Sequence, residues 1–429
     1  MQTVKQFVLI TICTFLTIMA KAQTDTIFRP DSLCLKIDSV ESLFLQKNLL
    51  LLAQRYNIDA QKALVVQAKL FPNPTFSFGT PIYQTNTKQY FPIGEQGEIS
   101  AGLSQLILLA NKHNDQIKIA RTNAVITEYQ FYDLLRTLKH TLRTDFFNVH
   151  YLLESAKVYD KEIGALKQVN DAFAKQNGKG YISEKEVIRV KAQLYSLQSE
   201  YNDLKNQIND LQSELRLLVQ TRNLFIIPDV DTAALAALNP AKYSLSMMID
   251  SACESRPDLK IAKLNIDLST QNYQLEKAKS VPDLTLQFGY DQQGSFIRNL
   301  TTVGLDIDLP LFNRNQGNIK SAKALINCNK VSFGATKANI EEQINSALQI
   351  AWSNDDLLKG RDLSFEKDFN RLLNEVFKNY EIRNITLLDF LDFYDSYKQN
   401  TLQINSIYFN RVRAFEDLDF YTGLDFFKQ

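Results

Sequence analysis

Gly102-Leu-Ser-Gln-Leu-Ile-Leu-Leu-Ala-Asn-Lys-His-Asn-Asp-Gln-Ile-Lys-Ile-Ala120 and Gly304-Leu-Asp-Ile-Asp-Leu-Pro-Leu-Phe-Asn-Arg-Asn-Gln-Gly-Asn-Ile-Lys-Ser-Ala322 read as one segment written twice. Seven identities fall in the twenty positions 102–121 at a fixed offset of 202. Upstream, Ala68-Lys69-x-x-Pro72 recurs as Ala278-Lys279-x-x-Pro282, and Phe78-Gly79 recurs as Phe288-Gly289, both at offset 210. Downstream, Ile182-Ser183 pairs with Ile385-Thr386 at offset 203. The offset drops by eight between Gly79 and Gly102, so one loop is shorter in the second copy. A unit of about 200 residues is too long for a solenoid repeat. It implies two similar halves around a pseudo-symmetry.

Each half reads helix, strand, strand, very long helix, turn, long helix. In the second copy Leu284–Tyr290 and Val303–Leu309 alternate with period two. In the first copy the strands fall at about 75–82 and 98–107. One face of each strand is apolar and the other carries Ser, Gln, Gly or Asp. A soluble half-buried hairpin alternates in the same way. The flanking helices argue otherwise, because four strands between helices of tens of residues do not make a core of their own.

The ten prolines leave two long stretches clear, from Pro92 to Pro228 and after Pro310. Proline breaks helix interiors, so both stretches are free to hold very long helices. His113–Asn177 can run as one helix of roughly 100 Å. Gly178-Lys-Gly180 is the turn signal that ends it. Val187, Val190, Leu194, Leu197, Tyr201, Leu204, Ile208, Leu211, Leu215 and Leu218 then keep steps of three and four without a break, a knobs-into-holes seam. The second copy predicts a helix over about 313–380 and a return over about 387–419. The expected organisation is therefore a first repeat over 23–222, a linker over 223–244 that includes a short helix at Ala233–Leu238, and a second repeat over 245–429.

Residues 1–22 carry a short basic start, an apolar run over Phe7–Ala20 and a small-x-small site at Ala20–Ala22, the pattern of a secretory signal. Its removal leaves 46 basic against 48 acidic side chains, and that balance excludes a nucleic-acid footprint. Cys34, Cys253 and Cys328 remain, which is no disulfide framework. His113, His140 and His150 lack zinc-ligand spacing, and only Met247 and Met248 survive the signal, so no metal site and no cofactor is expected. No nucleophile elbow or phosphate-cradling glycine loop is present, so the chain does not read as an enzyme.

The signal, the duplication and the element order resemble the TolC family of outer-membrane efflux channels over about 36–423. Leu309-Pro-Leu-Phe-Asn-Arg-Asn-Gln-Gly317 is similar to that family's strand-to-helix corner, with Pro310, Asn313 and Gly317 as its marks. The form is most like the heavy-metal efflux branch, the CzcC-type proteins. The first-copy corner departs at Leu106, where that branch has proline, and at Ala110-Asn111, where a glycine is usual. Tyr421-Thr-Gly423 fits the family's ending of the last helix.

The resemblance implies a mainly α fold with a small β part. Long antiparallel coiled-coil helices cross the periplasm, and three chains each give four strands to a twelve-stranded barrel in the outer membrane. Ser100, Gly102, Ser104, Asp306 and Asp308 would face the lumen and the apolar faces would meet lipid. The implied partners are two further copies of the chain, a periplasmic adaptor and an inner-membrane pump of the RND type. The resemblance also carries the closing constriction of the periplasmic tip onto Tyr380, Asp389 and Asp392, with Glu186 as the first-copy match of Asp389. Arg383 stands where the family has the tip glycine, and Ile385 where some members have an arginine. Threefold symmetry would turn Asp389 and Asp392 into two rings of acids that draw cations into a narrow mouth. A solvated helix face is the plainer reading, since Asp395 continues the spacing. The leading function is a passive exit duct of a tripartite efflux system, with metal cations as cargo. The alternatives are the duct of an ABC-driven protein secretion system and a periplasmic coiled-coil protein with no pore.

Overall fold

The computed structural model describes residues 31–86, 88–92, 97–293, 296–361, 371–372, 375–376, 378–380, 382 and 384–427. The signal segment lies outside them. In chain order the elements are β1 (Asp31–Leu35), α1 (Ile37–Lys47), α2 (Leu49–Ala68), β2 (Thr75–Gly79), β3 (Tyr83–Gln84), β4 (Gln89–Tyr90), β5 (Ser100–Ile107), α3 (Lys112–Asn177) and α4 (Glu184–Val219). There follow β6 (Leu224–Pro228), α5 (Thr232–Ala237), α6 (Leu245–Ser255), α7 (Pro257–Ala278), β7 (Leu284–Asp291), β8 (Leu300–Ile307), α8 (Gln316–Lys359) and α9 (Leu387–Thr422). The fold is mainly helical. It divides into two compact units, and each takes pieces of both sequence copies. One gathers the chain up to Lys47 with Asp145–Asp231 and Leu373–Asn405; the other gathers Asn48–Thr144, Thr232–Leu372 and Ser406–Gln429.

In the first unit, α4 starts on a capping box, with Ser183 as N-cap, and ends on Gln220 in the left-handed region at φ 51°. Its apolar seam buries Val187, Val190, Leu194, Leu197, Leu204, Ile208, Leu215 and Leu218. β1 pairs with β6 in parallel, from Asp31 opposite Leu224 to Leu35 opposite Pro228. Gln212 of α4, wholly buried, clamps this pair: its Nε2 donates to Ile226 O at 2.7 Å and its Oε1 accepts from Ile226 N at 2.9 Å. The pair lies partly in the expected linker, and the periodicity gives no sign of it.

In the second unit a four-stranded antiparallel sheet has the order β2-β5-β7-β8. The register sets Ser77 against Gly102, Gly102 against Gly289, and Gln287 against Gly304. Side chains alternate across a strand, so this register sorts the residues into two faces. One carries Thr75, Ser77, Ser100, Ser104, Thr285, Gln287, Asp291, Thr302 and Asp306, with Leu106 and Leu300 at its two ends. The other carries Phe76, Phe78, Leu103, Leu286, Phe288, Tyr290, Val303, Leu305 and Ile307, with Gln105 and Thr301 among them. A helical core of the same unit joins Met248 and Ala252 of α6 to Ile344, Leu348 and Ala351 of α8 and to Phe415 and Leu418 of α9. Two buried ion pairs brace it, Arg143 with Glu416 and Arg411 with Asp355.

Several expected bounds shift. The first strand stops at Gly79, because Pro81 has no amide for the ladder; Tyr83–Gln84 and Gln89–Tyr90 form a separate small hairpin. The last strand runs 300–307 and ends ahead of Pro310, so Asp308 and Leu309 fall just past it. The second long helix begins at Gln316, after Asn315 at φ 58°, and α8 ends at Lys359 with Gly360 as its C-cap. Gly is the weakest helix former after proline.

Candidate functional site

The tip of the first unit is built by turns that the sequence specifies locally. After α3, Gly180 takes φ +74°, and Asn177 Nδ2 donates to Ile182 O at 2.9 Å. The Ser183 amide and hydroxyl donate to Glu186 Oε2 at 3.1 and 2.9 Å, and Glu186 N donates back to Ser183 Oγ at 3.3 Å. The second copy repeats the device. Thr386 N and Oγ1 donate to Asp389 Oδ2 at 3.2 and 2.7 Å, and Asp389 N donates to Thr386 Oγ1 at 3.2 Å. Glu186 and Asp389 are thus the third residues of matching capping boxes, worth about 1 kcal/mol each. The pattern Ser183-x-x-Glu186 and Thr386-x-x-Asp389 was available in the sequence as this signal.

Tyr380 stacks on Phe390 with ring centroids 4.4 Å apart, and Phe173 and Tyr394 extend the aromatic row. Tyr380 and Glu186 line one cavity of about 530 Å³ with Gln168, Phe173 and Thr386. Asp392 is exposed and lines another, of about 570 Å³, with Arg189, Glu200, Asp395 and Lys398. Asp389 is exposed and lines neither. Asp395 differs from these acids, since Lys398 Nζ holds it at 2.9 Å. Arg383 lies outside the described residues.

On the sheet, Ser100, Ser104 and Asp306 share the polar face, and Gln287 donates to Asp306. That face carries small residues where strands approach: a Cβ on Gly102 would stand 2.6 Å from Ser77 Oγ, and one on Gly289 2.7 Å from Thr302 Oγ1. The opposite face leaves large apolar side chains uncovered. Phe76 is 69% exposed, Val303 70% and Leu305 55%.

The two strand-to-helix corners follow one scheme. In the second, Asn313 Oδ1 accepts from Asn315 N at 3.0 Å, and Asn315 Nδ2 donates to Glu276 O and Oε2 at 2.7 and 2.6 Å. Pro310 ends the strand, and Gly317 has open space around it. In the first, Ala110 and Asn111 both sit at positive φ, 54° and 65°. That is the conformation for which glycine is the cheap choice. Lys112, 5% exposed, ties this corner across to the second copy by Nζ bonds to Val281 O at 2.6 Å and Asp283 Oδ1 at 2.7 Å.

Among the described residues no helix is long and apolar enough to cross a membrane, and no group of three or more His, Cys, Asp or Glu side chains could hold a metal.

The sequence model for the outer membrane efflux protein family matches residues 40–219 and 248–348, more than half of the chain. The chain belongs to the outer membrane efflux protein family. Its place is therefore the outer membrane. The cobalt-zinc-cadmium resistance protein CzcC of Cupriavidus metallidurans is 19% identical over 288 residues, 67% of this chain and 66% of CzcC, just under two thirds of that relative's length. Among solved structures, that of CusC superposes with a TM-score of 0.72 at 17% identity, covering 90% of this chain and 92% of CusC. The CmeC outer membrane channel of Campylobacter jejuni gives 0.72 at 15% identity, covering 91% and 86%. These likenesses show that the fold is that of these channel proteins.

Proposed function

We propose that three copies of this chain form a passive exit duct, the outer-membrane part of a tripartite efflux system driven by an inner-membrane pump of the RND type through a periplasmic adaptor. The observation that carries this reading is the sheet. Its apolar face is uncovered, and among the described residues its outer strands β2 and β8 pair on one side only. Unsatisfied backbone groups in hydrocarbon cost several kcal/mol each, so an open sheet cannot stand in a bilayer. Strand directions alternate across the four, so β8 of one copy meets β2 of the next in antiparallel sense. Three copies then give a twelve-stranded barrel with no edge. A rod-like coiled-coil protein without a pore has no use for such a sheet.

The polar face supports cations as cargo. Within β2, β5, β7 and β8 it carries Asp291 and Asp306 and no Lys or Arg. Asp308 adds a further acid just beyond β8. CzcC is named for resistance to cobalt, zinc and cadmium, which supports metal cations as the class. At the tip, Tyr380, Asp389, Asp392 and Glu186 form the closing mouth on this reading. The purified assembly is tested in planar bilayers under a salt gradient. It should conduct with a reversal potential on the cation side, and Asp389→Ala with Asp392→Ala should lower that selectivity and the block by multivalent cations. An assembly with no conductance refutes the duct. Conductance with unchanged selectivity in the double variant removes these two acids from the mouth.

A further inference from the structure

A group of ionisable side chains in the first unit takes no part in the duct or its mouth as described. Glu162 of α3 is 3% exposed, and its Oε1 has no hydrogen-bond partner among the described residues. Lys398 of α9, 5% exposed, donates to Glu200 Oε2 of α4 at 2.8 Å and lies 2.9 Å from Asp395 Oδ1. One buried ammonium thus already serves two carboxylates, and a third carboxyl group stands beside them in the dry part of the packing. Three helices meet at this point. The charged and titratable groups facing Glu162 are Tyr159 and Lys161 on its own helix, Glu200 on α4, and Tyr394, Asp395 and Lys398 on α9. Lys161 Nζ lies over the Tyr397 ring at 5.4 Å, and the Tyr159 hydroxyl donates to Glu200 at 3.4 Å.

We propose that Glu162 is a protonation switch for the docking of α9 on the α3–α4 hairpin. As a neutral acid it permits docking; as a carboxylate it loosens the residues around Lys398. The charge arithmetic sets the direction. With Glu162 neutral, the group holds one cation and two anions, and both anions are partly solvated, with 40% and 38% of their side chains exposed. Ionising Glu162 adds a third anion that water does not reach and that no donor meets at Oε1. Burial, outweighing the attraction of Lys398, pushes the Glu162 carboxyl up to about 8. A raised carboxyl favours the folded state most below its ordinary value of 4.5. That advantage is lost as pH rises through the range up to about 8. The switch depends on helix packing alone and stands whether or not the duct reading holds. If the duct reading holds, loosening α9 frees the helix that carries Asp389 and Asp392.

The test is hydrogen–deuterium exchange of residues 387–402 in the full assembly, between pH 6 and pH 9, corrected for intrinsic exchange. Protection in the wild-type chain should fall at least tenfold across this range, since each unit of carboxyl shift is a factor of about ten. Glu162→Gln, neutral at every pH, should hold protection constant. Asp145, whose carboxyl burial pushes up to about 7, titrates in the same window, and the Gln variant separates the two. Glu162→Leu is the second variant and should match Gln. Flat protection in the wild type overturns the proposal without any variant, as does a Glu162→Gln profile that follows the wild type. A chain that responds as expected yet does not conduct supports the switch and refutes only the duct.

Discussion

An arginine placed on one face of β8 and then on the other separates a lipid-facing sheet from an ordinary surface sheet. Val303 and Thr302 are neighbours on β8 and point to opposite faces. Val303, opposite Phe288, is 70% exposed on the apolar side; Thr302 stands on the polar side, opposite Gly289, which leaves it room. β8 has eight residues, about 26 Å of strand, or roughly 20 Å of height at a tilt of about 40°. Val303 is the fourth of the eight and lies near the middle of an apolar band about 25 Å tall. Arg at the midplane of a barrel costs about 2–4 kcal/mol on the lipid face. Three copies multiply this to roughly 6–12 kcal/mol per assembly. Val303→Arg should therefore cut the folded fraction sharply when the denatured chain is refolded into phosphatidylcholine vesicles, read as the heat-resistant band on a gel. Thr302→Arg should fold within about 1 kcal/mol of wild type, since its guanidinium meets water. Equal losses from the two variants, or none from Val303→Arg, refute the assignment of faces.

Two other outcomes follow from the packing. Ala110 pays for a left-handed backbone that glycine adopts freely, so Ala110→Gly should stabilise the fold by about 1 kcal/mol in chemical unfolding; Asn111→Gly should gain less, because Asn tolerates that region. Arg143→Met strands the buried Glu416 carboxylate and should cost about 3–5 kcal/mol, whereas Arg143→Met with Glu416→Leu should recover most of the loss; a double variant no better than the single one contradicts the pairing.

The helical part of the fold was legible because its signals are local and long. No proline interrupts residues 112–177, and the seam of α4 reads directly as buried side chains. The period-two runs at 284–290 and 303–309 overlap β7 and β8 for the same reason. Three things did not show. The β1–β6 pair joins residues 193 positions apart through five short rungs, held by one glutamine from a helix. No periodicity announces it. Gly360 ends a helix whose apolar spacing runs on past it, because backbone cost outweighs the pattern locally. The Glu162–Lys398 group joins side chains of α3, α4 and α9 that lie far apart in the sequence, and only the meeting of the three helices takes Glu162 and Lys398 out of water. At the tip the difficulty was of another kind. Glu186 and Asp389 were legible as acids in matching positions, and the capping role that the structure gives them was legible too, in the serine and threonine three residues before each.

The most direct test of the account is the mass of the assembly extracted from outer membranes in detergent, measured by native mass spectrometry. Three chains per particle, soluble only in the presence of detergent, is the predicted result, because among the described residues the four strands of one chain leave two edges and an apolar face uncovered. A compact single chain that stays in solution in plain buffer contradicts it.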